Sequence, residues 1–196
     1  MQKIVVIVGP TASGKTALAV TLAKHFDGEI ISADSRQVYR GLDIGTNKIT
    51  NSEMCGISHH LIDIVEPKDA YTAADFVQDA DRAIADIASR EKLPIVAGGT
   101  FFYVDVLLGN RSLAMVPANA ALRAELEALS AEVLYQKLVA CDPAYAEQID
   151  KHNSRRLVRA IEIVGAKGGM PPFAPRPRYN VLVIGIAVPR EVLRER

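Results

Sequence analysis

One run of eight residues narrows the possible folds more than anything else in the chain: Gly9-Pro10-Thr11-Ala12-Ser13-Gly14-Lys15-Thr16. It has the form Gly, four residues, Gly-Lys-Ser/Thr. It follows the apolar stretch Ile4–Val8 and runs directly into a helical pattern. A strand before and a helix after are the context in which this pattern folds as a phosphate-binding loop. The glycines let backbone amides wrap an anion at a helix start, Lys15 adds a compact positive charge, and the Thr16 hydroxyl is placed to ligate Mg²⁺. Taken alone, the loop favours ATP or GTP over other phosphate compounds, because nucleotide hydrolysis and kinase chemistry dominate this loop class.

Such a loop belongs in an α/β sheet, and the rest of the pattern agrees. Apolar runs at Ile4–Val8, Glu29–Ala33, Leu61–Val65, Pro94–Ala97 and Val181–Val188 are short and rich in Val and Ile, as strands buried on both faces are. Between them, Phe76, Ala80, Ile84 and Ile87 recur at helical spacing within Thr72–Arg90, with Thr72 and Asp75 as a capping box. The expected fold is therefore α/β: a P-loop NTPase-like parallel sheet flanked by helices. From about 118 to 165 the strand signal vanishes. Leu122, Leu126, Leu129 and Val133 mark one amphipathic stretch, Asp142-Pro143 opens a second, and Leu157, Ile161 and Val164 mark a third, so a helical excursion leaves the sheet here. Length supports a single α/β core carrying that excursion, since 196 residues do not make two full domains.

Gly165–Asn180 holds three glycines and four prolines with Lys167, Arg176 and Arg178 and no acidic residue, which reads as a mobile basic loop. The pattern then returns to a strand and reaches Arg196 in the opening turns of a helix after Pro189, the ending expected of a fragment. No apolar run has the length of a membrane span and no signal-peptide core precedes the loop, so the expectation is a cytoplasmic protein without membrane contact, a monomer. Cys55 and Cys141 lack the close pairing of metal or redox motifs and read as buried or incidental thiols. Net charge is zero, but residues 1–150 hold 13 Lys/Arg against 20 Asp/Glu, and residues 151–196 hold 10 against 3. A basic tail on an acidic body fits a polyanion-facing element, and equally a solvated basic face.

A second candidate site follows the second strand, in Ser32-Ala33-Asp34-Ser35-Arg36-Gln37-Val38-Tyr39-Arg40 and Gly41-Leu42-Asp43-Ile44-Gly45-Thr46. Ligands of parallel sheets bind at the carboxyl ends of strands, so Asp34 belongs near the phosphate loop, as a water-mediated magnesium partner, a proton acceptor or a helix cap. These segments, with His59-His60-Leu61-Ile62-Asp63-Ile64 and Gly98-Gly99-Thr100, come in the order and spacing of tRNA dimethylallyltransferases, which the chain resembles from about Ile4 onward. That resemblance changes the expected ligand of the loop from ATP to dimethylallyl diphosphate and the second substrate to tRNA, with Mg²⁺ as cofactor.

What the resemblance implies residue by residue is chemically coherent. Asp34 takes the proton of the adenine amine, while Lys15 and Thr100 stabilise and orient the departing pyrophosphate, which makes these three the candidate catalytic residues. Gly9, Thr11, Ala12, Ser13, Gly14, Lys15 and Thr16 hold the diphosphate, and Thr16 the metal. Asp34, Ser35, Arg36 and Gln37 hold the base, which must leave its stack to reach them. Arg123 and the run Arg155, Arg156, Leu157, Val158 and Arg159 resemble positions that contact tRNA, with Arg155 and Arg159 on one helical face. Phe101 stands where many members have glycine, and family members continue well past position 196 with further helices and an arginine on the diphosphate. Tyr39, Tyr103, Phe101 and Phe102 are expected to pack the core, and His59 and His60, pointing to opposite faces, to serve structure. The rival activities are an adenylate isopentenyltransferase acting on free nucleotide, an ATP-dependent small-molecule kinase, and an RNA-binding remnant without chemistry.

Overall fold

The computed structural model describes residues 1–172 and 174–194. The chain divides into two compact units, Met1–Arg111 with Pro175–Arg196, and Ser112–Ala174. The first is a parallel five-stranded sheet in the order β3-β2-β4-β1-β5, flanked by helices in the manner of P-loop proteins. Its strands are β1 (Lys3–Val8), β2 (Gly28–Ser32), β3 (His59–His60), β4 (Leu93–Gly98) and β5 (Asn180–Gly185). The central strands β1, β2 and β4 are the Val/Ile-rich runs whose side chains are sequestered on both faces: Val6, Ile7, Ile31, Ile95 and Val96 are fully buried. Among the described helices, none is long and apolar enough to cross a membrane.

Helix α1 (Lys15–His25) lies against one side of this sheet, packing Ala19, Val20 and Ala23 with Ile7, Ile30 and Ile95. On the other side, α3 (Ala73–Ser89) presents the Phe76, Ala80, Ile84 and Ile87 stripe that its sequence spacing predicts, and Thr72 and Asp75 form the capping box. A short α2 (Asn51–Met54) precedes β3, and α4 (Phe101–Leu108) follows β4 with Tyr103, Val104 and Leu107 buried in the same cluster as α3.

Three expectations are corrected here. The strand at Leu61–Val65 does not form: Leu61 and Asp63 take positive φ (63° and 54°), which breaks the extended chain, and only His59–His60 pair with β2 while Val65 makes a single bridge to Tyr39. β5 is shorter than predicted and, as an edge strand, is not buried on both faces; Leu182 is 60% and Val183 53% exposed. The segment expected as a mobile loop, of which Phe173 lies outside the described residues, is tied down in its last residues. Its first residues to Lys167 are helix; beyond it Arg176 N–H donates to Gly109 O (3.0 Å), Arg178 donates to Leu107 O and Asp81, and the Tyr179 hydroxyl donates to Asp81. Gly109 is obligatory at that seam, since a Cβ there would sit 1.9 Å from Arg176 O.

The second unit holds α5 (Ala120–Glu127), α6 (Ala131–Cys141), α7 (Pro143–Ala146) and α8 (Ser154–Lys167) around a core of Leu126, Leu134, Leu138, Leu157 and Val164. Each helix starts at a side-chain cap, from Asn119, Ser130, Asp142 and Asn153 respectively. The helical stretch read at 118–165 lies inside this unit. After Pro189, α9 (Arg190–Arg194) opens as the sequence predicts, while Arg196 lies outside the described residues.

Candidate active site

The strand order decides which loops meet. β4 lies between β2 and β1 and pairs with both in parallel, Ser32 opposite Ala97 and Val8 opposite Gly98. The carboxyl ends of three neighbouring strands therefore carry Asp34, the Gly98–Thr100 turn and the Gly9–Thr16 loop side by side. Gly98 makes the close approach possible: a Cβ there would lie 2.1 Å from Ala33 O. With hydrogen in that place, Thr100 N–H donates to Ala33 O (3.2 Å), and Thr100 Oγ1 accepts from Ser35 N–H at 3.0 Å. Thr100 thus ties the Asp34 turn to the end of β4, the strand that lies between it and the phosphate loop. The sequence marked Thr100 and gave no signal that Gly98 is sterically compelled.

The phosphate loop has the features of an anion cradle. Gly14 at φ 90° caps α1 without any side-chain cap, which leaves the first amides of an eleven-residue helix open to an acceptor. Gly9 leaves room that a Cβ would crowd, at 2.9 Å from the Ser13 hydroxyl and 3.0 Å from Ile186 O. That hydroxyl is buried and, among the described residues, has no hydrogen-bond partner, a cost that a phosphate oxygen in the loop would remove. Lys15 Nζ donates to Pro10 O at 2.6 Å, and a Cβ on Gly99 would be 3.9 Å from the amine. Burial lowers the Lys15 pKa, and the charge of Asp34 works against the shift. A cavity of about 540 Å³ adjoins the loop, lined by Ala12–Ala17, Val20, Lys24, Ile49 and Glu53 among others.

Asp34 both caps and presents. Its Oδ1 accepts from Arg36 N–H (2.8 Å) and Gln37 N–H (3.3 Å), closing the turn after β2, while Oδ2 takes no protein hydrogen bond among the described residues. The Arg36 side chain is exposed. Gln37 is spent on the fold: its Oε1 accepts from Ser32 Oγ (3.2 Å), and its Nε2 donates to Thr46 O (3.3 Å) and Asn47 O (3.2 Å). As hard oxygen donors for Mg²⁺ the loop offers the exposed Thr16 hydroxyl and the orphaned Ser13 hydroxyl. That set fits a cation bound largely through substrate phosphates, and no cluster of three or more acidic, His or Cys side chains exists among the described residues to hold one alone.

The helical unit sorts the remaining candidates differently from their order in sequence. Leu157 and Val158 are buried in its core, so their side chains are not available to a nucleic acid. Arg123 and Arg159 are drawn onto Glu162, whose side chain is 1% exposed, at 2.7 and 3.1 Å, and Arg159 also donates to Val116 O at 2.7 Å. Burial pushes the Glu162 pKa up, yet the hydrogen bonds of Arg123, Asn119 N–H and Arg159 overcome it and hold it at about 2. Among the described residues, Arg155 and Arg156 of the run are exposed without a carboxylate partner, whereas Arg159 of the expected pair is engaged by Glu162. The charge asymmetry also dissolves. Cut at the unit boundaries, the sheet unit has 16 basic and 16 acidic residues and the helical unit 7 of each, because residue 150 falls inside the helical unit.

Other side chains depart from expectation or were missed. Phe101 (53%) and Phe102 (46%) are exposed at the first turn of α4 instead of packing the core, while Tyr103 is buried and stacked on Phe76 at 4.5 Å. Both cysteines are exposed. His59 Nδ1 lies 2.9 Å from Ile57 O and His60 Nε2 lies 2.8 Å from Glu29. Glu29, at the start of β2, is held at about 2 by its Arg90 hydrogen bonds against burial, with His60 and Lys92 assisting. Lys48 was not marked by the sequence, yet its side chain is 5% exposed between Asp43 and Asp63.

The IPP transferase family model matches residues 37–196. The tRNA dimethylallyltransferase of Leuconostoc citreum (strain KM20) is 50% identical over 196 residues, covering 100% of this chain and 66% of that protein. That of Thermomicrobium roseum is 46% identical, covering 100% of this chain and 61% of its own length. Among solved structures, a eukaryotic dimethylallyltransferase described as acting on tRNA aligns with a TM-score of 0.87 at 32% identity, over 100% of this chain and 51% of that one. The full-length tRNA isopentenylpyrophosphate transferase of Bacillus halodurans aligns with a TM-score of 0.67 at 43% identity, over 100% and 63%. The chain thus spans about two thirds of the length of the curated relatives it matches.

Proposed function

The chain belongs to the IPP transferase family, and on that premise we propose that it serves transfer of a dimethylallyl group from dimethylallyl diphosphate to the exocyclic N6 amine of an adenine adjacent to the anticodon in tRNA. The observation that carries the reading is the juxtaposition of a free Asp34 carboxylate oxygen after β2 and an uncapped phosphate loop after β1, with β4 between them and its Thr100 bonded to the Asp34 turn. A diphosphate seated on the amides of Thr11–Thr16 satisfies the Ser13 hydroxyl and gives Lys15 a better acceptor than Pro10 O. Mg²⁺ bound through the Thr16 hydroxyl and the phosphate oxygens would supply further neutralisation of the leaving group.

The adenine N6 attacks C1 of the dimethylallyl group as the C1–O bond to the diphosphate breaks. Asp34 Oδ2 accepts the N6 proton, while Oδ1 stays fixed by the Arg36 and Gln37 amides, so the base is aimed before the substrate arrives. Lys15 and the loop amides stabilise the charge that collects on pyrophosphate, an interaction that strengthens toward the transition state. Ser35 and Arg36 flank the base, and Arg155 and Arg156, exposed in the first turn of α8, are assigned to tRNA phosphates. The assembly is assigned to the cytoplasm as a monomer.

The test is mass spectrometry of nucleosides from unmodified tRNA after incubation with the protein, dimethylallyl diphosphate and Mg²⁺, with free AMP and with ATP as parallel substrates. A prenylated adenosine in tRNA is the expected product. Prenylation of AMP alone would transfer the assignment to a free-nucleotide enzyme, and phosphoryl transfer from ATP to a kinase.

A further inference from the structure

The turn that carries Asp34 is not held by its own strand alone. It is followed by a long loop from Val38 to Ser58 with no strand and one short helix, and a loop of that kind needs an internal anchor to keep one conformation. Lys48 is that anchor. Its ammonium donates to Tyr39 O at 2.8 Å, to Asp43 Oδ1 at 2.6 Å and to Asp63 Oδ1 at 2.5 Å. All three protons of the group are used, each on a different stretch of chain, and the side chain is 5% exposed. Burial disfavours its charge, but the hydrogen bonds and charges of Asp43 and Asp63 more than compensate and raise its pKa.

From this anchor two separate routes lead to the residue that closes the Asp34 turn. Lys48 fixes the 43–48 segment, and the carbonyls of Thr46 and Asn47 within it accept from Gln37 Nε2. Lys48 also fixes Asp63, whose own N–H donates to Gln37 O at 3.2 Å. Gln37 is therefore gripped by side chain and by backbone through groups that converge on one ammonium. Its N–H, with that of Arg36, is what holds Asp34 Oδ1. The phosphate loop has no member in either route.

We propose that Lys48 is a positioning residue for the base-side half of the site, setting the Asp34–Gln37 turn through Gln37 while leaving the phosphate-loop half to fold by itself. The inference rests on the reading of Asp34 as the acceptor of the amine proton, and it deepens that reading by separating the two halves of the site energetically. Lys48→Met keeps the aliphatic stem and removes the ammonium. In hydrogen exchange on the protein, the amides of Arg36, Gln37 and Asp63 should then lose about tenfold or more of their protection, while Leu18 in α1 keeps its own. In the transfer assay the variant should lose about thirtyfold or more in kcat, with the KM for dimethylallyl diphosphate within about threefold of the parent. A merely structural lysine would lower stability and damage both halves together, or neither. Asp43→Asn, a milder change that keeps an acceptor for the ammonium, should shift the same amides and kcat in the same direction by about threefold; it decides the matter if Lys48→Met does not fold. Unchanged protection at Arg36 and Gln37, or equal loss at Leu18 and in diphosphate affinity, would overturn the proposal. If the parent protein transfers no prenyl group, the proposed function fails while the exchange measurement still decides whether Lys48 holds the turn.

Discussion

The sheet unit and the helical unit are both electrically neutral and, among the described residues, each buries one glutamate, yet they place that glutamate differently with respect to their candidate functional groups. In the sheet unit Glu29 gathers Arg90, His60 and Lys92 at the amino end of β2, roughly 15 Å of strand away from Asp34 beyond the carboxyl end. In the helical unit Glu162 lies on α8 itself and takes up Arg123 and Arg159, two of the cations that sequence alone would give to RNA. A parallel sheet separates the charges that stabilise it from the charges that act, because opposite strand ends are far apart. A single amphipathic helix has both on neighbouring turns, and the buried carboxylate wins the arginines within its reach.

The largest expected effect tests the sheet unit. Asp34→Asn retains an Oδ1 that can accept from Arg36 and Gln37, so the turn should persist and diphosphate should bind as before, while turnover falls on the order of a hundredfold or more. Steady-state kinetics with calorimetry of diphosphate binding separates the two. Loss of diphosphate affinity in this variant would make Asp34 a metal or phosphate partner and would mix stabilising with acting charges on the sheet as well.

The next effect belongs to the helical unit. Glu162→Gln should destabilise it by about 2 kcal/mol, less than for a fully buried pair because both arginines are more than a third exposed. Denaturant unfolding followed by a probe on α6 or α8 measures this. The corresponding pH dependence is shared. Glu29 and Glu162 both have folded-state pKa values of about 2 against an ordinary 4.5, so their contribution is complete above about pH 4.5 and is lost as pH falls toward 2. Thermal unfolding between pH 6 and 2 should show stability falling in both units across that window, and a flat profile would remove the glutamates from this role.

The smallest effect is the sharpest for function. Arg155→Ala with Arg156→Ala should leave stability within about 0.5 kcal/mol, since both are exposed and unpaired, and should flatten the salt dependence of tRNA binding by about one unit per arginine. Arg159→Ala should do the reverse, costing stability and leaving the slope nearly unchanged. If all three behave alike in the salt titration, Glu162 does not remove Arg159 from the RNA-facing set.

Much of this was written locally. The phosphate loop, its flanking strand and helix, the α3 stripe with its capping box and the helix start at Asp142 follow from short-range rules: fixed spacing, caps and β-branched runs act within a few residues of themselves. The resemblance also brought Asp34 and Thr100 to the site, where the strand order puts their loops on neighbouring ends. What only the tertiary structure decided are the relations between residues distant in sequence. Gly98 is forced by Ala33, Gly109 by Arg176, the strand at 61–65 is broken where Asp63 turns to Lys48, and Arg159 is lost to Glu162 in company with Arg123. Even net charge changed its meaning once the unit boundaries replaced a cut in the sequence. The physical reason is the same in each case: a steric contact or a buried charge acts over a few ångströms of space, and the partner that satisfies it can stand anywhere along the chain.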